Sequence, residues 1–399
     1  MRALAQAATR RTPAFPVGTL HAGDCRLADL LEILQDTTDL ADYPHASGVE
    51  QGVLLYAAAD VRAALADGAG EELEAELARA WSQGPGIIVF TGAFESEIID
   101  RVNTAYDQII KQEKESGGPK GDHFGEPGAN DRVWNALEKL AVADPEAFVH
   151  YYSNDLVALG ARAWLGPAYQ ITVQPNVVRP GGKGQTVHRD YHLGFMDSEQ
   201  AARFPAHVHA LSSVLTLQGA VAHVDMPVES GPTLYLPHSQ KYTHGYLAYW
   251  IPEFQDYFVA NHIQLPLTKG DLVWFNPALM HAAGTNVSAD IQRMANLLQV
   301  SSAFGRAMES VDRERVVNAV YPALLAALDG GMPRPLVDNA VAASAEGYAF
   351  PSNLDRDQPV GGMAPPTQAD LVHAALDTRE TPASLSDRLA HQAWTKLSH

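Results

Sequence analysis

The sequence predicts a mainly β protein, a barrel or sandwich of short strands with helical additions at both ends, and three observations predict it. From Tyr169 to Phe304 the chain is a series of short runs rich in Val, Leu, Tyr and Thr, broken by Gly, Pro, Asn and Asp. That texture belongs to many short strands joined by turns. The flanking segments instead repeat apolar residues at helical spacing. With 46% hydrophobic and 19% charged residues the chain can also fill a large core, which a disordered chain cannot.

Taken in order, residues 1–84 read as a helical N-terminal extension packed on the core, with helical spacing over 27–34, 61–65 and 73–81. Residues 85–305 form the β core and its buttressing helices. The core opens with an apolar, β-branched strand over 86–90 and a helix over 95–114. A Gly/Pro/Asp-rich loop over 117–131, carrying Lys120, His123 and Glu126, is long enough to act as a lid. After further helical pattern to Trp164, strands are expected over 170–178, 214–221, 233–236, 263–267, 271–275 and 294–300. Residues 306–399 are a C-terminal helical extension and tail, with an amphipathic helix over 309–328 and weaker helical patterns over 368–376 and 384–394.

Charge and cysteine usage exclude several classes of function. A formal net charge of −19 opposes broad attraction to nucleic acid or an anionic membrane, which needs clustered Lys and Arg. A small-molecule substrate is the expected partner. The single cysteine, Cys25, makes no intramolecular disulfide and no Cys-based zinc site, so a metal must use His and carboxylate. Residues 1–11 lack the continuous apolar stretch of a signal peptide, and no run approaches the roughly 20 apolar residues of a membrane span. The expectation is a cytoplasmic monomer or homodimer.

Chemistry-bearing residues cluster in the β segment. His188-Arg189-Asp190 follows the loop Gly181-Gly182-Lys183-Gly184. In an extended segment residues i and i+2 project to one side, so this imidazole and carboxylate can chelate one ion. A second such pair, His223-Val224-Asp225, competes with it, and read alone either pair is equally a solvated turn or a core hydrogen-bonded pair. His281 comes at the end of an apolar strand pattern and supplies a distant imidazole. Two imidazoles and one carboxylate form the triad that leaves three positions open on Fe(II). Arg293, twelve residues later at the head of the last strand pattern, offers a fork suited to bidentate binding of a carboxylate in a dry pocket.

These pieces fall in one order over residues 86–303: Gly86-Ile87-Ile88-Val89-Phe90, Gln185-Thr186-Val187-His188-Arg189-Asp190, Glu229-Ser230-Gly231-Pro232-Thr233 with Leu236-Pro237-His238-Ser239, Gly270-Asp271 with His281, and Arg293. In that order the chain resembles the phytanoyl-CoA dioxygenase family of Fe(II)/2-oxoglutarate-dependent oxygenases. The resemblance implies a double-stranded β-helix (jelly-roll, cupin-like) core, with Fe(II), 2-oxoglutarate as co-substrate, and O2. It implies that His188, Asp190 and His281 hold the iron, that Arg293 pairs with the distal carboxylate of 2-oxoglutarate, and that His223 and Asp225 shape the pocket. The implied reaction is hydroxylation of an unactivated C–H bond with release of succinate and CO2. The carboxylate of Asp190 separates the chain from related halogenases, which carry a small residue there.

Two departures stand out. The family's P-G-S-H turn reads Pro237-His238-Ser239-Gln240, and Ala283 stands where relatives often place a hydroxyl that helps to hold 2-oxoglutarate, leaving Thr285 as a substitute. Gln174 and Asn176 point amides toward the interior as further candidates for binding the co-substrate. Tyr191, His192 and Trp274 flank the expected ligands and join His223 and Asp225 as substrate-pocket candidates, whereas His207 and His209 read as an exposed strand end. The rival readings are a cupin-like isomerase or other dioxygenase using the same triad without 2-oxoglutarate, which Arg293 opposes, and a non-catalytic barrel that only binds. A free amino acid, a secondary metabolite and a CoA- or carrier-linked acyl group all remain open as substrates.

Overall fold

The computed structural model describes residues 18–116, 130–359 and 361–399; residues 1–11 and the expected lid residues Lys120, His123 and Glu126 lie outside this range. Eleven strands occur among the described residues: β1 (Gly48–Glu50), β2 (Val53–Ala57), β3 (Ile87–Thr91), β4 (Asn130–Arg132), β5 (Gln170–Val178), β6 (Thr216–Ala222), β7 (Leu234–Tyr235), β8 (Ile263–Gln264), β9 (Leu272–Phe275), β10 (His281–Ala282) and β11 (Arg293–Ser301). Eight form a large sheet in the order β1-β2-β3-β9-β6-β11-β5-β4, and three form a small sheet, β10-β7-β8. All neighbours pair antiparallel except β2 and β3. The two sheets make the double-stranded β-helix, and the cavity lies between them.

Pleating sorts the side chains of the large sheet, because successive residues of a strand face opposite ways. On β11 Arg293, Ala295, Leu297 and Gln299 face the cavity, while Met294, Leu298 and Val300 join the core under the helices. The same split puts Val273 and Phe275 of β9 inside and Leu272 and Trp274 outside. β5 and β11 hold this register over nine residues, from Arg293 opposite Val178 to Ser301 opposite Gln170. A one-residue slip would exchange the two faces.

The outer face is covered by helices, among them Gly70–Ser82, Ser96–Glu115, Asp155–Leu165 and Arg313–Asp329. Their ends carry local stop and start signals. Asn154 accepts the amides of Leu156 and Val157, Asp312 accepts that of Arg315, and Thr367 forms a capping box with Asp370. Trp274 fits between sheet and helix because Gly160 and Gly219 have no side chain there; a Cβ on either would collide with the indole. No helix among the described residues is long and apolar enough to cross a membrane.

The N-terminal extension differs from expectation. Besides the helices Leu27–Ile33, Ala58–Ala66 and Gly70–Ser82 it contributes β1 and β2, and β2 runs parallel to β3, so the expected boundary at residue 84 passes through one sheet. Val53-Leu54-Leu55-Tyr56 is apolar on both faces and runs straight into an Ala-rich helix, which hides its two-residue period. His207 and His209 lie on the helix Ala206–Ser212 and not at a strand end; His209 is buried with a ring nitrogen 2.9 Å from the Ala201 carbonyl. The C-terminal residues pack as helices on the outer layer and include Arg334–Ser344, which the periodicity did not reveal.

Candidate metal centre

His188 and His281 face each other across an antiparallel bridge. The amide of His188 donates to the His281 carbonyl at 2.9 Å and the amide of His281 returns the bond at 3.1 Å. Directly opposed residues of this kind project their side chains to one side, and the two rings lie 4.4 Å apart. Asp190, two residues on from His188, joins the same side. Its backbone is held by Asp190 N–H donating to Pro277 O at 2.9 Å and by the Tyr246 hydroxyl donating to Asp190 O at 3.0 Å. One ligand atom from each of the three lies within 4.8 Å of the others, the only such His/Cys/Asp/Glu group found among the described residues.

The imidazoles are oriented for a metal. Nδ1 of His188 is 2.8 Å from the Thr186 carbonyl and Nδ1 of His281 is 2.8 Å from the Leu279 carbonyl. A carbonyl only accepts, so each Nδ1 carries a proton, and the neutral tautomer this selects has its lone pair on Nε2. Those Nε2 atoms lie 4.0 and 3.6 Å from Asp190 Oδ2. Burial raises the Asp190 pKa, but its neighbours His281 and His188 and the Gln218 amide outweigh it and bring the group down to about 2. Burial, and then His281, push His188 below its ordinary value against the pull of Asp190. Asp190 is thus an ionised carboxylate facing two imidazole Nε2 atoms, the donor set that a divalent first-row ion such as Fe(II) takes.

The triad opens into a cavity of about 580 Å³ that Arg293 also lines. Arg293 is 7% exposed, and its Nη1 donates to the carbonyls of Gly284 at 3.2 Å and Ser230 at 3.4 Å. Among the described residues no carboxylate pairs with it, and burial lowers its pKa to about 10. A buried guanidinium that lines the cavity and pairs with no carboxylate side chain among the described residues fits a dicarboxylate co-substrate, since an unpaired buried charge is costly.

The other candidates divide. Asn176 lines the cavity, with Oδ1 buried and without a hydrogen-bond partner among the described residues. Gln174 is completely buried beyond the cavity's end, accepting from Gln299 Nε2 at 3.2 Å. Thr285 is exposed, and its hydroxyl accepts the Gly184 amide at 2.9 Å, outside the cavity. Trp274 points to the helical side because it has the opposite parity to Val273 and Phe275. His223 also lies on the helical side, where Tyr151 Oη sits 2.9 Å from Nε2 and Asn103 Oδ1 2.6 Å from Nδ1; burial lowers its pKa to about 3. Asp225 is exposed and accepts the Lys269 amide. Tyr191 and His192 do not line the cavity either: the Tyr191 hydroxyl lies 3.0 Å from Met308 Sδ, and His192 takes a left-handed φ of 48°.

Sequence reasoning missed Gln218, which lines the cavity and donates to Asp190 Oδ2 at 2.7 Å, and the aromatic rim of Phe195 and Trp250, 56% and 47% exposed. A polar residue in the apolar run Thr216–Ala222 was the available signal for Gln218. Phe195 ends the short 3-10 helix His192–Phe195 and Trp250 lies in the turn after the helix Gly245–Ala248, neither within a motif.

A two-sheet jelly-roll holding two histidines and an aspartate at its mouth defines a class of metal-dependent enzymes. Residues 82–295 match the phytanoyl-CoA dioxygenase (PhyH) family, and the chain belongs to it. Enzymes of this family use Fe(II), 2-oxoglutarate and O2, and the chain is an Fe(II)/2-oxoglutarate-dependent enzyme. No curated protein matches the sequence. Among solved structures it is similar to the non-heme alpha ketoglutarate dependent carbocyclase SnoK from nogalamycin biosynthesis, at 19% identity over 61% of this chain and 90% of that one, TM-score 0.43. It is similar to the epimerase SnoN of the same biosynthesis, at 18% identity over 59% and 82%, TM-score 0.41. HygX from Streptomyces hygroscopicus, solved with nickel, 2-oxoglutarate and hygromycin B bound, matches at 14% identity over 57% and 87%, TM-score 0.40.

Proposed function

We propose that this chain hydroxylates an unactivated C–H bond of a small molecule, consuming 2-oxoglutarate and O2 and releasing succinate and CO2. His188, Asp190 and His281 hold the iron, and Arg293 holds the distal carboxylate of 2-oxoglutarate. The observation that carries this reading is Arg293, a buried cation without a carboxylate partner among the described residues, lining the cavity into which the three donors open. A triad without 2-oxoglutarate would leave that charge unexplained.

Fe(II), when bound, supplies the oxygen chemistry, and the protein positions the partners and keeps water out. The Thr186 and Leu279 carbonyls hold the protons of the two imidazoles away from the metal side. Ionised Asp190 would add one negative charge to the set of donors that holds the metal. Val273, Phe275 and Leu297 wall the space with apolar surface, where the attraction between Arg293 and a carboxylate is strengthened by exclusion of water. Asn176 offers an amide beside this space, and Phe195 and Trp250 offer apolar ring surface to the substrate at the rim.

The test is succinate formation from 2-oxoglutarate in the presence of Fe(II) and O2, first without and then with candidate small molecules. Metal- and O2-dependent succinate that disappears in His188→Ala is the expected result. If no preparation binds 2-oxoglutarate or forms succinate, the reading fails and a cupin-like enzyme independent of 2-oxoglutarate takes its place.

A further inference from the structure

Three carboxamides lie side by side on the inward face of the large sheet, one on each of β6, β11 and β5: Gln218, Gln299 and Gln174, which are 5%, 7% and 0% exposed. Gln218 and Gln299 are directly opposed in the register, and Gln174 is the diagonal neighbour, opposite Leu297. Gln218 Nε2 donates to Asp190 Oδ2 at 2.7 Å and stands 3.5 Å from Gln299 Oε1; Gln299 Nε2 donates to Gln174 Oε1 at 3.2 Å.

The chain has one direction. An ionised carboxylate only accepts, so the end of Gln218 that meets Asp190 is its NH2 group. That leaves the Gln299 carbonyl to face the same NH2 group and turns the Gln299 NH2 toward Gln174. The oxygen that Gln218 holds, Oδ2, is also the one that faces both imidazoles. Apolar residues in these positions would fill a barrel interior without the desolvation cost of three amides, so their presence calls for an explanation that packing does not provide.

We infer that Gln218 is a positioning residue for the metal centre: it fixes the rotation of the Asp190 carboxylate so that Oδ2 alone is presented beside the two Nε2 atoms, and Gln299, backed by Gln174, orients Gln218. This rests on the reading of His188, Asp190 and His281 as the metal ligands. Outer partners of this kind typically govern metal affinity by about 10–100-fold. Gln218 acts through Asp190, so its effect vanishes when Asp190 is gone.

The experiment is a double-mutant cycle read by calorimetric titration with Ni(II), which binds such sites more tightly than Fe(II) or Mn(II) and so stays measurable in weakened variants. The four proteins are the unmodified chain, Gln218→Met, Asp190→Ala and the double variant, each checked for an unchanged circular dichroism spectrum and thermal midpoint. Methionine keeps the length of the side chain and removes the donor. The expected result is a Kd for Ni(II) about 10–100-fold weaker in Gln218→Met than in the unmodified chain, with no further change on adding Gln218→Met to Asp190→Ala. Equal affinity in the first pair, or an equal loss in both pairs, overturns the role of Gln218 while leaving the metal centre standing. Failure of the unmodified chain to bind Ni(II) overturns the metal centre itself.

Discussion

Replacing Arg293 with Met separates binding from folding. Burial holds Arg293 near 10 against an ordinary 12.5, and at 1.36 kcal/mol per pKa unit the folded chain bears a penalty of roughly 3 kcal/mol for keeping this charge. A base with a depressed folded pKa is charged in both states below about 10, so the penalty is present in full across neutral pH and fades only as pH rises through 10 toward 12.5. Methionine removes the penalty and fills much the same space. It also removes the bonds to the Ser230 and Gly284 carbonyls, together worth about 3 kcal/mol when the donor is charged. The two terms nearly cancel, so the Arg293→Met protein without ligand should unfold within about 1–2 kcal/mol of the unmodified chain. The effect on 2-oxoglutarate is large, because losing one partner of a buried ion pair costs about 3–5 kcal/mol, or roughly 10²–10³-fold and more in Kd. Calorimetric titration of the Mn(II)-loaded proteins with 2-oxoglutarate measures it without turnover. The thermal stabilisation that saturating 2-oxoglutarate gives the unmodified chain should disappear as well. If Arg293→Met bound 2-oxoglutarate within about threefold of the unmodified chain, the guanidinium would not be the clamp.

Asp190→Asn keeps the shape of the side chain but withdraws the negative charge, and metal retained after dialysis should fall by about 100-fold or more with little change in the circular dichroism spectrum. His223 is held neutral by burial, at about 3 in the folded state against 6.5 unfolded, so between those values the unfolded chain binds a proton that the native chain refuses. Acidification therefore weakens the fold by about 1.4 kcal/mol per pH unit through this residue, and His223→Gln should flatten that part of the slope in urea titrations run from pH 7 to pH 4. Gly245→Ala pushes a methyl into the guanidinium of Arg189, the residue between His188 and Asp190, which bonds the Tyr242 and Ser239 carbonyls. A thermal midpoint lowered by several degrees, corresponding to about 2–3 kcal/mol, together with weaker metal binding, is expected.

Motif order pointed to His188, Asp190 and His281 as neighbours, and the fold brings the three together, because the segments that carry them are marked by recognisable turns. The competing pair at His223 and Asp225 shows what periodicity leaves open. A two-residue alternation says that Gln218, Ala220 and Ala222 share one face and that His223 does not, but it does not say which face looks inward. Trp274 was misplaced for the same reason, one residue out of phase with Phe275. Gln174 has the parity of Asn176 but does not line the cavity; its Oε1 accepts from Gln299, which does. The hairpin of β1 and β2 escaped notice because a strand apolar on both faces has no period to detect.

The alternation along β11 has an evolutionary corollary. Met294, Leu298 and Val300 answer to the helices, with Asn296 bonded to Tyr151 among them, whereas Arg293, Ala295, Leu297 and Gln299 answer to the cavity. A single strand thus carries two nearly independent inheritances interleaved residue by residue. Exchanges at Ala295 or Leu297 can widen or narrow the cavity without loosening the scaffold, and exchanges at Leu298 can loosen the scaffold without altering what the cavity accepts. Diversification of substrate in a descendant of this chain should therefore leave its traces at every second position of β11.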